Sequence, residues 1–173
     1  MAVRAGTHAQ PAQSRGSLRA LIERWGRDGD SVASVLESLG ELGWFVLHGV
    51  DTPAGRLDHL AVGPAGVFTI ETSTSGGRIS VQTINERTFI DPWARARRVE
   101  QAIGHKVTPV LVYPHARLSR PVSRQRGVIV VMTKTLGEHL LRRRARLTDA
   151  EVHSLYHQLV GMSWSGAPAT AVR

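Results

Sequence analysis

The chain predicts a mixed α/β domain, one central sheet with helices on both faces. Three observations carry this. Residues 109–113 and 127–132 are apolar almost without a break, as in strands buried on both faces. Residues 57–62 and 67–71 flank Gly63-Pro64-Ala65-Gly66, a tight connection between two strands. Apolar positions at helical spacing recur before, between and after these strands.

The elements follow in order. Leu18, Leu21, Ile22 and Trp25 suggest a short first helix, interrupted by Gly26 and Gly29. Val32, Val35, Leu36 and Leu39 form a stripe at i, i+3, i+4 and i+7, a second helix that Gly40 and Gly43 end. Residues 44–50 read as a strand and 51–55 as a turn. After the 57–62 and 67–71 strands comes a polar loop over 73–77. Residues 78–82 read as a fourth strand and 88–90 as a short edge strand. Pro92 suits the first turn of a helix running to about Val107. Residues 114–126 read as a basic loop. Thr135 with Glu138, and Thr148 with Glu151, have capping-box spacing. The second opens a helix with Val152, Leu155, Tyr156, Leu159 and Val160 on one face. Trp44, Trp93 and Phe68 are expected in the core.

The 173 residues suit one domain with a single buried core. The expected organisation is a disordered tail over 1–16, the domain over 17–161 and a flexible tail over 162–173. There is no cysteine, which excludes disulfides and thiolate metal sites. The first sixteen residues hold no apolar run of the secretory kind. No segment approaches the roughly 20 apolar residues that span a bilayer. A soluble, cytoplasmic protein without a membrane partner is expected.

The formal charge is +8, from 22 basic and 14 acidic residues. Such a surface attracts polyanions, nucleic acid first. Only Lys106 and Lys134 are lysines; the rest is arginine, which pairs with phosphate in bidentate fashion. Codon bias in a GC-rich genome yields the same composition, so the charge alone does not decide. Arg142, Arg143 and Arg144 form either a solvated linker or a phosphate-contacting cluster.

The chemistry concentrates in one hairpin. Asp58 stands at the start of its first strand and Glu71 near the end of its second, so both acids reach the same end of the sheet. Hard carboxylate oxygens suit Mg²⁺, and the Thr72 carbonyl offers a third ligand. The plain alternatives are a turn-fixing role for Asp58 and a buried ion pair with an arginine for Glu71. His59, one residue on, points to the opposite face and reads as structural. His153 and His157 are four apart on a helix, but lack the glutamate of a metalloprotease helix and an evident third zinc ligand.

The run Leu57-Asp58-His59-Leu60-Ala61-Val62-Gly63-Pro64-Ala65-Gly66-Val67-Phe68-Thr69-Ile70-Glu71-Thr72 resembles the strand–turn–strand signature of the nuclease-related domain, often called the NERD domain, a group within the PD-(D/E)XK nuclease superfamily. The helix at Asp91-Pro92 and the two later apolar strands add to the resemblance, which spans roughly residues 29–160. It implies a restriction-endonuclease-like mixed central sheet flanked by helices. It implies a Mg²⁺- or Mn²⁺-dependent endonuclease acting on DNA, with Asp58 and Glu71 as metal-binding acids. Asp30 falls where the family usually carries a glutamate, and so joins the implied ligand set. Three departures stand out. Ser73 replaces the lysine that orients water and stabilises negative charge. Arg95 stands where the family often has glutamine, and Asp91 replaces an asparagine. Arg95 or Arg78 can supply the missing positive charge; Lys134 is a weaker candidate. Arg78, Arg142, Arg143 and Arg144 are expected to contact nucleic acid. The alternative function is a catalytically inactive module, on the same fold, that binds nucleic acid or another partner.

Overall fold

The central sheet takes its order from the hairpin and the two apolar strands. The computed structural model describes residues 13–25, 31–162 and 170–171. The strands are β1 (Phe45–Thr52), β2 (Gly55–Gly63), β3 (Gly66–Thr72), β4 (Gly77–Ile79), β5 (Val107–Tyr113), β6 (Ala116–Leu118), β7 (Val122–Gln125), β8 (Val128–Met132) and β9 (Thr170–Ala171). The helices are α1 (Gln13–Trp25), α2 (Val32–Ser38), α3 (Ile90–Ile103), α4 (Thr133–Leu141) and α5 (Asp149–Gly161). The main sheet has the order β7-β8-β5-β3-β2-β1-β9. β1, β2 and β3 run antiparallel in turn, β5 and β8 continue parallel to β3, and β7 returns antiparallel. β4 and β6 form a separate parallel pair. This is the mixed α/β architecture expected, with the sheet between two helical layers.

Strand alternation assigns the layers. Ala61, Phe68, Ile70, Val110, Val112, Ile129 and Val131 pack with α1, α2 and α4 on one face. Leu60, Val62 and Val67 pack with α3 and α5 on the other. Leu111, Tyr113, Val128 and Val130 lie on that second face too, beneath the small β4–β6 pair. Pro109 has no N–H to give, and the β5–β8 ladder begins one residue later, at Val110. Thr148 and Glu151 form the expected capping box at the start of α5.

Several elements depart from expectation, each for a local reason. Residues 88–90 are not an edge strand. Asn85 accepts the Arg87 N–H and starts a 3₁₀ turn, Glu86–Phe89, that leads into α3. α3 stops at Ile103, not Val107, because Gly104 takes a left-handed φ of 66° and donates its N–H to the Glu100 carbonyl. The fourth strand shortens to β4, and Val81–Thr83 is a 3₁₀ turn that buries Val81. The basic loop at 114–126 contains β6 and β7. β7 and β8 join through Arg126 and Gly127, both at positive φ, a two-residue hairpin turn. α4 begins at Thr133 rather than at a Thr135 capping box; the Thr135 hydroxyl donates to the Met132 carbonyl instead. Of the α5 apolar face, Val152 and Leu159 are buried, whereas Val160 sits one position round the helix and is exposed. Trp44 and Phe68 are in the core, but Trp93 is 51% exposed. The buried stripe of α3 is Pro92, Ala96, Val99 and Ile103, and Trp93 lies about 100° from it. The expected tail over 1–16 lies largely outside the described residues, although α1 already begins at Gln13. Residues 163–169 and 172–173 of the expected C-terminal tail also lie outside them, and Thr170–Ala171 pairs with Leu47 and His48 of β1.

The β2–β3 turn is packed to its limit. A Cβ added to Gly63 falls 2.1 Å from the buried Trp44 ring. Gly63→Ala is expected to lower unfolding stability by about 1–3 kcal/mol through overpacking. A chemical-denaturation midpoint equal to that of the wild type would show that the turn has slack.

Candidate active site

Asp58 and Glu71 meet because of strand register. His59 pairs with Ile70, so continuing the antiparallel register by one residue sets Asp58 opposite Glu71. Residues opposite each other in an antiparallel pair share a face. By alternation this is the face of Leu60, Val62 and Val67, the α3 side. The Thr72 N–H donates to Asp58 Oδ2 at 2.7 Å, which ties the first acid to the backbone beside the second. Asp58 is exposed, whereas the Glu71 side chain is only 12% exposed.

Helix α3 supplies the third charge. Arg95 Nη1 forms an ion pair with Glu71 Oε2, and Arg95 Nε donates to the Ala54 carbonyl at 3.3 Å. Asp91, one turn earlier, lies 3.9 Å from the same guanidinium. Arg95 thus bridges α3, β3 and the β1–β2 turn. Gly55 leaves it room: φ there is +108°, and an added Cβ falls 3.1 Å from Arg95 Nε. Burial pushes the Glu71 carboxyl above the usual carboxylate range. Arg95 opposes that shift, and the nearby Asp58 and Asp91 charges add to it.

One polar atom is left over. Glu71 Oε1 is buried and has no hydrogen-bond partner. Such an atom costs about 1–3 kcal/mol unless something satisfies it. A hard cation between Glu71 Oε1 and Asp58 would do so, and carboxylate oxygens are the donors such an ion takes. Among the described residues, no set of three His, Cys, Asp or Glu side chains is placed to hold a metal ion. Asp30 lies outside the described residues. The fit to a divalent ion therefore rests on two carboxylates and the backbone.

Ser73 continues β3, donating its N–H to the Val112 carbonyl at 2.8 Å. By alternation it shares the Glu71 face. Its hydroxyl accepts the Ser75 N–H at 3.2 Å and stands near the buried phenol of Tyr113. The side chain organises the loop that follows and places no charge beside the acids. Tyr113 and Gly55 escaped sequence reasoning; neither has a signal in the chain, because both contacts form across the fold.

The other sequence candidates lie apart from this pair. Arg78 is exposed on β4, in register with Arg117 of β6. Arg142 pairs with Glu138, and Arg143 lies over the Phe68 ring at 5.5 Å, on the opposite face of the sheet. Arg144 is exposed in the loop after α4. The Arg146 N–H donates to the Pro64 carbonyl at 2.7 Å, which holds that loop to the hairpin turn. Lys134 is exposed in the first turn of α4. His59 faces His48, with Nδ1 atoms 2.7 Å apart, and burial lowers its pKa to about 4. His153 is engaged with the Asp149 carbonyl and with the Phe45 ring.

Residues 25–118 match the sequence model of a family described as a nuclease-related domain. No curated protein gives a significant match to the sequence. Among solved structures, the crystal structure of a repair endonuclease from Pyrococcus abyssi aligns with a TM-score of 0.34 and 13% identity, over 84% of this chain and 50% of that chain. The chain spans about half the length of that protein.

Removing the guanidinium isolates the Glu71 charge. Arg95→Met is expected to destabilise the protein at pH 7 by roughly 1–3 kcal/mol. The raised Glu71 pKa means that the folded state holds this proton more tightly than the unfolded chain. Its contribution to stability is therefore full below the unfolded value and falls as pH rises towards the folded one. The Arg95→Met deficit should accordingly shrink towards about pH 3, well below the unfolded carboxylate value, where Glu71 is protonated in both states. Denaturant titrations at the two pH values measure this, and a deficit independent of pH would contradict the pairing.

Proposed function

We propose a function from one premise: the chain belongs to the nuclease-related domain family. It is a metal-dependent endonuclease-like protein acting on DNA phosphodiester bonds, with a degenerate active site. The observation that carries this reading is the register pairing of Asp58 with Glu71, with a free buried oxygen on Glu71 and a guanidinium on its other oxygen.

Asp58, Glu71 and the Thr72 carbonyl would hold Mg²⁺ or Mn²⁺, with Asp30 as a further ligand. When bound, such an ion polarises a phosphoryl oxygen and acidifies a water. The remaining roles belong to the chain. Arg95 holds Glu71 in orientation and presents positive charge where phosphate negative charge develops. It cannot act as a base, because guanidinium keeps its proton. Ser73 offers a hydroxyl in place of an ammonium, so water is oriented without a neighbouring cation from that strand. Losing such a donor costs about 10²–10³ in rate.

A second reading is a catalytically inactive module that binds nucleic acid. It is favoured by the Glu71–Arg95 pair, which already neutralises the acid, and by Ser73. It entails salt-sensitive binding without turnover.

Cleavage of supercoiled and single-stranded DNA with Mg²⁺ or Mn²⁺ separates the two. Slow wild-type cutting is expected, abolished in Asp58→Ala and reduced about 10²-fold in Arg95→Met. Ser73→Lys is expected to accelerate it. A silent wild type awakened by Ser73→Lys would mean an intact metal site that lost only its lysine. Silence in all variants, with binding retained, would establish the second reading.

Metal binding also has a pH signature. A carboxylate that holds its proton tightly must release it to take a cation. Mg²⁺ is expected to raise the thermal midpoint more at pH 7.5 than at pH 5. Equal shifts at both values, or the same shift in Glu71→Gln, would place the ion elsewhere.

A further inference from the structure

Helix α3 carries two stripes, and the site uses one of them. Asp91 and Arg95 point towards Glu71. Ile90, Trp93 and Arg97, at i, i+3 and i+7, form a second stripe, with Trp93 about 160° round the helix from both Asp91 and Arg95. Ile90 is 60% exposed and Trp93 51%. They are two of the three large apolar side chains exposed among the described residues. Trp93 forms a ridge between two surface hollows, since its ring lines both.

The surroundings of this ring are basic. Arg87 and Arg126 stand with Glu86 in the first hollow. Arg97, Lys106 and Arg124 stand with Glu100 in the second. Both acids are already engaged, Glu86 by Arg126 and Glu100 by Arg97. Arg87, Lys106 and Arg124 have no ion-pair partner among the described residues. The Arg97 guanidinium lies 5.9 Å from the Trp93 ring centroid, close enough to brace one side of the indole. Arg126 is the one described non-glycine residue at positive φ, and the β7–β8 hairpin turn delivers it to this place.

We infer that the Ile90–Trp93 ridge of α3 is a stacking platform for an unpaired DNA strand, with the flanking basic side chains on its phosphates. An exposed indole between arginine-lined hollows has what single-strand binding needs: a flat π-surface for a base and positive charge on either side for the backbone. A duplex keeps its bases stacked inside and offers the ring nothing comparable. A second copy of this chain fits poorly, because a symmetric contact brings the same arginines against each other. The inference rests on the phosphodiesterase reading for the class of polymer, and it adds the form: a single strand crossing the first turns of α3, on the side of the helix turned away from Arg95.

The test is equilibrium binding in EDTA, so that it does not depend on cleavage. Fluorescence anisotropy would follow a labelled oligothymidylate of about 15 nucleotides and a duplex of equal length. Wild type, Trp93→Ala and Trp93→Phe would be compared. Trp93→Ala is expected to weaken single-strand binding about tenfold, the size of one lost stacking contact. Trp93→Phe should keep most of the affinity. Duplex binding should be weaker and indifferent to Trp93. Unchanged thermal midpoints would exclude misfolding, since the ring is half exposed. No wild-type binding to the single strand, equal binding by Trp93→Ala, or an equal loss on duplex would overturn the platform. So would a dimer by light scattering that Trp93→Ala dissolves without change in DNA affinity. Cleavage without any Trp93 dependence would sink the platform alone. Trp93-dependent binding without cleavage would sink the hydrolase reading alone.

Discussion

A carboxylate at the end of a strand buried on both faces must be met by positive charge, and Arg95 meets Glu71. The other arrangements around the hairpin follow from that contact. Glu71 is the last buried residue of β3, and its ion pair draws the first turns of α3 onto the sheet. The same guanidinium holds the β1–β2 turn through the Ala54 carbonyl, and Gly55 has no side chain to push it away. Asp58 is fixed by a backbone N–H rather than by a cation, so it stays open to solvent. The two acids therefore differ in character although they share a register. One is buried, with a raised pKa and an unpaired oxygen. The other is exposed and already hydrogen-bonded.

That asymmetry is set by where the positive charge comes from. The charge beside the acids is an arginine reaching in from a helix, not a residue of the strand itself. Guanidinium stabilises charge and cannot shuttle a proton. It also orients α3. With Arg95 turned inward and Ala96, Val99 and Ile103 buried against the sheet, Trp93 has nowhere to go but outward. The exposed ring and the filled acid site are thus two consequences of one helix rotation.

Sequence and structure agree where the pattern is dense. The β2–β3 hairpin, β5 and β8 lie within a residue or two of where apolar runs and the Gly-Pro-Ala-Gly turn placed them. Thr148 and Glu151 formed their capping box because its partners are three residues apart. They differ where a distant contact decides. Residues 88–90 have β-branched and aromatic character, yet the Asn85 side chain and the burial of Phe89 turn them into the lead of a helix. The basic segment after Tyr113 looked like loop, and pairing with β4 and β8 made two strands of it. Trp93 reads as a core residue because large aromatics are usually buried, yet the packing of α3 leaves it exposed.

The sequence by itself determined the mixed sheet and its family, and it singled out Asp58 and Glu71, because strand period and turn chemistry are local and survive in any context. Only the tertiary structure decided that Arg95, rather than Arg78 or Lys134, reaches Glu71. Only it decided that the Arg142–Arg144 run ends on the other side of the sheet and that Trp93 faces water. Those are facts of which surfaces meet. A helical stripe specifies a face, but packing across the whole chain decides what covers it.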